Sequence, residues 1–185
     1  MTVTAPLYAR IMGSSWNDLG EPLQCLHGSA STVRADGHLC IDRGRHRLAR
    51  LLGRLLRLPQ PSASADVRLI IVSSRDDEHW VRTFDGRRLD TWQYQWHDGL
   101  AERFGVLEFR FRLRASGGSL SYAHAGVFLC WPVRVRIPER WAPCVEARED
   151  PAGPTRIHVD VRVGLPRVGL LISYAGIVEL TDTRS

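Results

Sequence analysis

The sequence contains no lysine, and all 25 basic side chains among its 185 residues are arginine. A Schiff-base lysine, a phosphate-loop lysine and a lysine general base are therefore excluded. Long hydrophobic runs are also missing. No window reaches the roughly 18 consecutive apolar residues of a membrane span, so no membrane partner is expected. The opening Met1-Thr2-Val3-Thr4-Ala5-Pro6 has no charged segment leading into an apolar one, so no signal peptide is expected. Cysteine is sparse: Cys25, Cys40, Cys130 and Cys144 form no CxxC pair. They are expected to be reduced, buried thiols in a cytoplasmic protein. Cys25-Leu26-His27 with Cys40 lacks a recognised zinc spacing, so no metal is expected. There is no GxSxG elbow, no GxGxxG after a strand, no GxxxxGK[ST] and no HExxH. Any chemistry is expected to need no cofactor and must proceed without an amine.

What is present has the composition of a globular protein, with 44% hydrophobic and 24% charged residues. The length suits a single domain over residues 1–185. A net charge of +5 and a pI near 9.5 invite a nucleic-acid reading. The arginines are scattered, however, and no RNP-like, zinc-finger or recognition-helix pattern appears, so no nucleic acid is expected as partner. A small anionic ligand stays open, because the planar arginine fork suits carboxylates and phosphates.

Residues 1–60 read as a helical N-terminal part and 66–180 as an antiparallel β part. Helices are expected over about 5–27, with a hairpin-like piece, 31–34 and 38–42, around Asp36-Gly37. The clearest helix is 45–58, where Leu48, Leu51, Leu52, Leu55 and Leu58 recur at helical spacing until Pro59. That helix could lie on an anionic membrane surface, but covering the open side of the sheet explains the same pattern and is the expected role. From Asp66 the period becomes two. Leu107, Phe109, Phe111 and Leu113 alternate with Arg110, Arg112 and Arg114, and 133–137 and 156–163 behave alike. Segments 67–73, 78–84, 87–97, 119–131, 144–149 and 168–180 are further strands. About nine closely spaced strands imply a mainly β (α+β) fold, a strongly curved antiparallel sheet or barrel with the N-terminal helices on one end or flank.

The order of several short motifs is distinctive: Leu7-Tyr8-Ala9-Arg10-Ile11-Met12-Gly13 with Trp16 and Leu26-His27, then Trp80-Val81-Arg82-Thr83-Phe84-Asp85-Gly86, Glu102-Arg103-Phe104-Gly105 and Val145-Glu146-Ala147-Arg148-Glu149. Pro166 through Tyr174-Ala175-Gly176 completes the set. In these the chain resembles a bacterial domain family of unknown function, whose members occur alone or fused behind saccharopine-dehydrogenase-like oxidoreductases. The resemblance implies a stand-alone version of a domain that elsewhere accompanies metabolic enzymes. It carries no catalytic residues.

Candidate site residues come from side-chain type and strand parity. Trp92, Tyr94 and Trp96 share one strand face and could line an apolar cavity, or simply form core. Leu120, Tyr122, His124, Phe128 and Cys130 share another, on which Tyr122 and His124 offer hydrogen-bonding or acid–base groups. Glu102, Glu146 and Glu149 stand among apolar neighbours, where a carboxylate would have a raised pKa or pair with Arg82, Arg103 or Arg148. Glu102, Tyr122, His124 and Glu146 are taken as candidate catalytic groups. His27, Arg82, Trp92, Tyr94, Trp96, Phe128 and Tyr174 are taken as candidate ligand contacts. Two functional readings follow. One is a β protein binding a small hydrophobic or anionic metabolite, acting as a cofactor-free cyclase or isomerase. The other is a non-catalytic accessory module facing an acidic protein partner, with self-association also open.

Overall fold

The computed structural model describes residues 5–29 and 31–182. Residues 1–4, on which most of the export expectation rests, lie outside them. Two short helices, α1 (Leu7–Met12) and α2 (Glu21–Gly28), flank a 3-10 turn, Gly13–Asp18. Then follow β1 (Thr32–Arg43), α3 (Arg47–Leu55), β2 (Ser62–Ser73), β3 (Asp77–Phe84), β4 (Arg87–Trp96) and β5 (Gly99–Phe104). The chain continues with β6 (Leu107–Ser116), β7 (Ser119–Cys130), β8 (Arg134–Arg136), β9 (Cys144–Pro151), β10 (Arg156–Leu165) and β11 (Gly169–Asp182).

All strand pairings are antiparallel, as hairpin-length connections dictate. β1 to β6 pair in chain order, β7 joins β6 to β9, and β10 and β11 return to β1. The result is a closed ten-stranded barrel, with β8 added outside the ring along β7. Closure removes the exposed edges that so many strands would otherwise present. The fold class expected from the sequence is the one observed.

Three details differ. Asp36-Gly37 makes no hairpin, because residues 32–43 run as one strand paired on both sides. Gly37 instead meets β11 closely, since a Cβ there would lie 2.1 Å from the Ile177 carbonyl oxygen. Two positions along, where Leu39 pairs with Gly176, a Cβ on Gly176 would lie 2.3 Å from the His38 carbonyl oxygen, so two glycines let the strands bend at one corner. There are also eleven strands rather than nine. Finally, α3 is shorter than 45–58 and presents a different face: Ala49 and Gly53 are buried, while Leu48, Leu51 and Leu55 are exposed. The Arg43 guanidinium occupies the space beside Gly53 and donates to the Leu58 and Pro59 carbonyls, so only a small-residue face fits against the barrel.

Alternation fills the barrel. Val33, Ala35, Leu39, Ile41, Val67, Leu69 and Ile71 point inward from β1 and β2, and Ile172, Val178 and Leu180 of the neighbouring β11 and Ile157 of β10 continue the same inner surface. The helices α1 and α2 plug the end where β3 and β7 begin, burying Leu7, Tyr8, Leu23, Leu26 and His27. At that end the Gly20 N–H donates to the Gly118 carbonyl at 2.8 Å. The cysteines depart from expectation: all four are free, and Cys25, Cys40 and Cys144 are exposed rather than buried.

Candidate active site

Between the plug and the opposite end lies a cavity of about 200 Å³. Its walls are mainly apolar, with Val67, Leu69, Phe84, Phe109, Phe111, Val161 and Ile172 among them. Seven hydrogen-bonding side chains face it: Arg82, Thr91, Gln93, Glu102, Tyr122, Glu149 and Tyr174. Period-two parity explains each position. On β9, Val145, Ala147 and Glu149 point in, so Glu146 points out and is exposed. On β4, Thr91 and Gln93 point in and are buried.

These groups form a connected strip at the plugged end. Glu149 takes a 2.7 Å contact from His27 Nε2 on one oxygen and accepts the Tyr122 hydroxyl at 3.0 Å on the other. The Tyr122 oxygen lies 3.2 Å from that of Tyr8, and Tyr8 donates to Gln93 Oε1 at 2.7 Å. Gln93 is the cross-strand neighbour of Glu102, to which Arg82 donates at 3.3 Å while also donating to Thr91 at 2.8 Å. The His27 ring is stacked between Tyr8 and Trp80, with centroids 3.9 Å and 5.6 Å away. Its Nδ1 is buried and has no hydrogen-bond partner.

Electrostatics sharpen the roles. Burial pushes the Tyr8 and Tyr122 phenols well above their ordinary range, and the nearby carboxylates push the same way, so both remain proton donors. Burial also raises the Glu78 carboxyl, although His27 and the 3.0 Å donation from Trp80 Nε1 oppose it. Burial works against the Arg82 charge, but Glu102 together with the Tyr174, Tyr8 and Tyr122 phenols outweighs it and holds the guanidinium above its usual range. A proton donor (Tyr122), a carboxylate base (Glu149) and a fixed cation (Arg82) thus share one apolar chamber. Among the described residues no three His, Cys, Asp or Glu side chains converge to hold a metal ion.

Of the residues expected from sequence, Glu102, Tyr122, Arg82 and Tyr174 line this cavity, and His27 stands directly behind Glu149. The others do not line it. Glu146 is on the outer face for the parity reason given. Trp92, Tyr94 and Trp96 do share a face, but it is the outer one; Trp92 is exposed and stacks on His79 at 4.2 Å. Phe128 is displaced by a bulge: Arg110 pairs with Gly126 and Phe111 with His124, leaving Ala125 as an extra residue. One added residue flips the faces beyond it, so Phe128 and Cys130 part from Tyr122 and point outward. His124 lies edge-on to Phe111 at 6.3 Å with Nδ1 unpartnered, and burial lowers its pKa.

The outward residues form a second buried cluster. Glu108 accepts from Tyr94, from Arg110 Nε at 2.8 Å and from Arg134 at 2.8 Å. The Arg110 guanidinium lies over the Phe128 and Trp96 rings at 3.7 Å and 4.4 Å. Opposing burial, Tyr94 and the two arginines together hold the Glu108 carboxyl below its ordinary range.

Sequence reasoning singled out neither Tyr8 nor Gln93, and it chose Glu146 over Glu149. The alternation Val145, Ala147, Glu149 was the available signal for the last.

A family model described as a domain of unknown function, DUF4166, matches residues 19–177. The chain belongs to that family. The match runs from the start of the α2 region into β11 and therefore includes His27, Arg82, Glu102, Tyr122 and Glu149. Tyr8, on α1, precedes it. No curated protein and no solved structure matches the chain.

Proposed function

We propose that the barrel holds one small, largely apolar metabolite bearing an oxygen function, and rearranges it without a cofactor as an isomerase or cyclase. The observation carrying this reading is the Glu149–Tyr122 pair, set at the polar end of an otherwise apolar chamber. A carbonyl or enol oxygen that takes over the Tyr122 proton from Glu149 would place an adjacent carbon beside the carboxylate oxygen so released. Glu149 takes a proton from that carbon and returns it to another, or to a newly closed ring. The proton balance closes within the pair, and no oxidant or reductant enters. Arg82, held by Glu102, supplies the positive charge for an acidic group on the same ligand. The chamber is smaller than the ~300–1,000 Å³ of drug-sized sites, which favours a compact substrate.

The test begins with native mass spectrometry of the purified protein to identify a bound metabolite. Incubation of that compound in D₂O should give deuterium uptake at carbon with the natural protein and not with Glu149→Gln. Ala147→Phe, which fills the chamber, should purify empty. An empty natural protein that gains no thermal stability from any of a panel of six- to ten-carbon ketones and lactones would overturn the binding. Binding with equal deuterium uptake by Glu149→Gln would overturn the catalysis.

A further inference from the structure

Several exposed apolar side chains of this protein gather at the end of the barrel opposite the plug. Antiparallel order places the end of β1, the β5–β6 turn, the end of β7, the start of β9 and the β10–β11 turn together there. From these points project Leu51 and Leu55 of α3, Val106, Trp131 and Trp141, with exposures of 61%, 75%, 48%, 72% and 58%. Scattered exposed leucines need no explanation, but a cluster on one end does. The cavity approaches this same end, where Leu56, Leu58 and Pro59 line it just after α3.

Charge identifies what fits the patch. Residues 45–58 contain Arg45, Arg47, Arg50, Arg54 and Arg57 and no acidic residue. Arg45, Arg50 and Arg54 line a shallow basic concavity beside α3 together with Arg43, whose Nε is buried without a hydrogen-bond partner. Arg167 stands over the Trp141 ring at 5.8 Å. Leucines and tryptophans that project from a rim of arginines match a bilayer interface with anionic headgroups: apolar chains enter the acyl boundary and guanidiniums meet phosphates.

We propose that the end of the barrel opposite the plug docks on an anionic lipid bilayer, with α3 lying in the interface above the cavity. Among the described residues no helix is long and apolar enough to cross a membrane, and the contact proposed is a peripheral one. The expectation of no membrane partner took the α3 leucines to face the sheet; Ala49 and Gly53 face it instead. Docking would let an apolar ligand pass between bilayer and barrel, but it stands whether or not the cavity is catalytic.

Flotation with phosphatidylcholine vesicles containing 30% phosphatidylglycerol tests the proposal against pure phosphatidylcholine vesicles. Binding should need the anionic lipid, weaken with salt, and shift tryptophan emission to the blue. Leu51→Asp with Leu55→Asp should abolish it, and Arg50→Gln or Arg54→Gln should each weaken it about fivefold. Val72→Asp, an exposed apolar position at the plugged end, should bind as the natural protein does. Circular dichroism checks that all variants fold. No flotation with anionic vesicles, or equal loss in Val72→Asp, would overturn the proposal. So would concentration-dependent dimerisation abolished by Leu51→Asp without any lipid binding, because a second copy would then cover the patch.

Discussion

Glu149 and Glu108 are both buried carboxylates on β-strands, and each accepts a hydrogen bond from a tyrosine, yet their surroundings differ in kind. Glu108 sits outside the barrel wall, held by Tyr94 and by two guanidiniums, those of Arg110 and Arg134. Glu149 faces an apolar chamber and shares its end of the barrel with Glu78; its nearest cationic candidate is a histidine. The first cluster sets two cations against one carboxylate and ties β4, β6, β7 and β8 together. The second is rich in acid, leaves His27 Nδ1 unpartnered and is open to a ligand. Buried polar groups that serve only structure tend to be fully satisfied. Incomplete satisfaction beside a cavity is therefore what separates a candidate site from a staple.

The largest expected break in that comparison is functional. Glu149→Gln should lower the deuterium uptake described above by about 100-fold or more, as loss of a general base does, whereas Glu108→Gln should leave it unchanged. Stability should show the reverse ranking. Glu108→Ala leaves Arg110 largely buried without its carboxylate and should cost about 3 kcal/mol, read from urea midpoints. Because the folded pKa of Glu108 is depressed, its contribution is present above the unfolded carboxylate pKa and fades as the pH falls. The variant should therefore approach the natural protein in stability under acid.

Glu78 carries the opposite sign. Its folded pKa is raised, so its stabilising share is present below the unfolded pKa and is lost as the pH rises through the folded value. Glu78→Gln should be more stable than the natural protein at pH 8 by about 1 kcal/mol, with the gain vanishing near pH 4. The smallest effect belongs to Trp92, which was expected inside and stands outside. Trp92→Ala should change stability by about 0.5 kcal/mol and leave ligand binding intact, as isothermal titration with the identified metabolite would show.

Much of the architecture was legible in the residues. The alternation of Leu107, Phe109 and Phe111 with arginines is the wall of the cavity, and Arg82 with Glu102 paired as opposite charges suggest. Three kinds of information were not carried locally. The aromatic face of β4 looked like the inner one because its outer position is covered by Arg110 and β8, a contact between distant segments. The extra residue Ala125 leaves no mark in a hydropathy pattern, yet it reverses the faces of Phe128 and Cys130. The leucine stripe of α3 announced an amphipathic helix but not its orientation, which is decided by the absence of side-chain bulk at Ala49 and Gly53.

The plug has a consequence for how the molecule comes to exist. Tyr8 meets Gln93 and Tyr122 across 85 and 114 residues, and His27 meets Glu149 across 122. Contacts of such separation form late and slowly, because much of the chain must be ordered before they return any free energy. On a ribosome, α1 and α2 emerge before the strands and wait with their apolar faces uncovered until β9 arrives. The site is thus among the last things the chain completes, and a molecule truncated before Glu149 would have strands but no chamber floor.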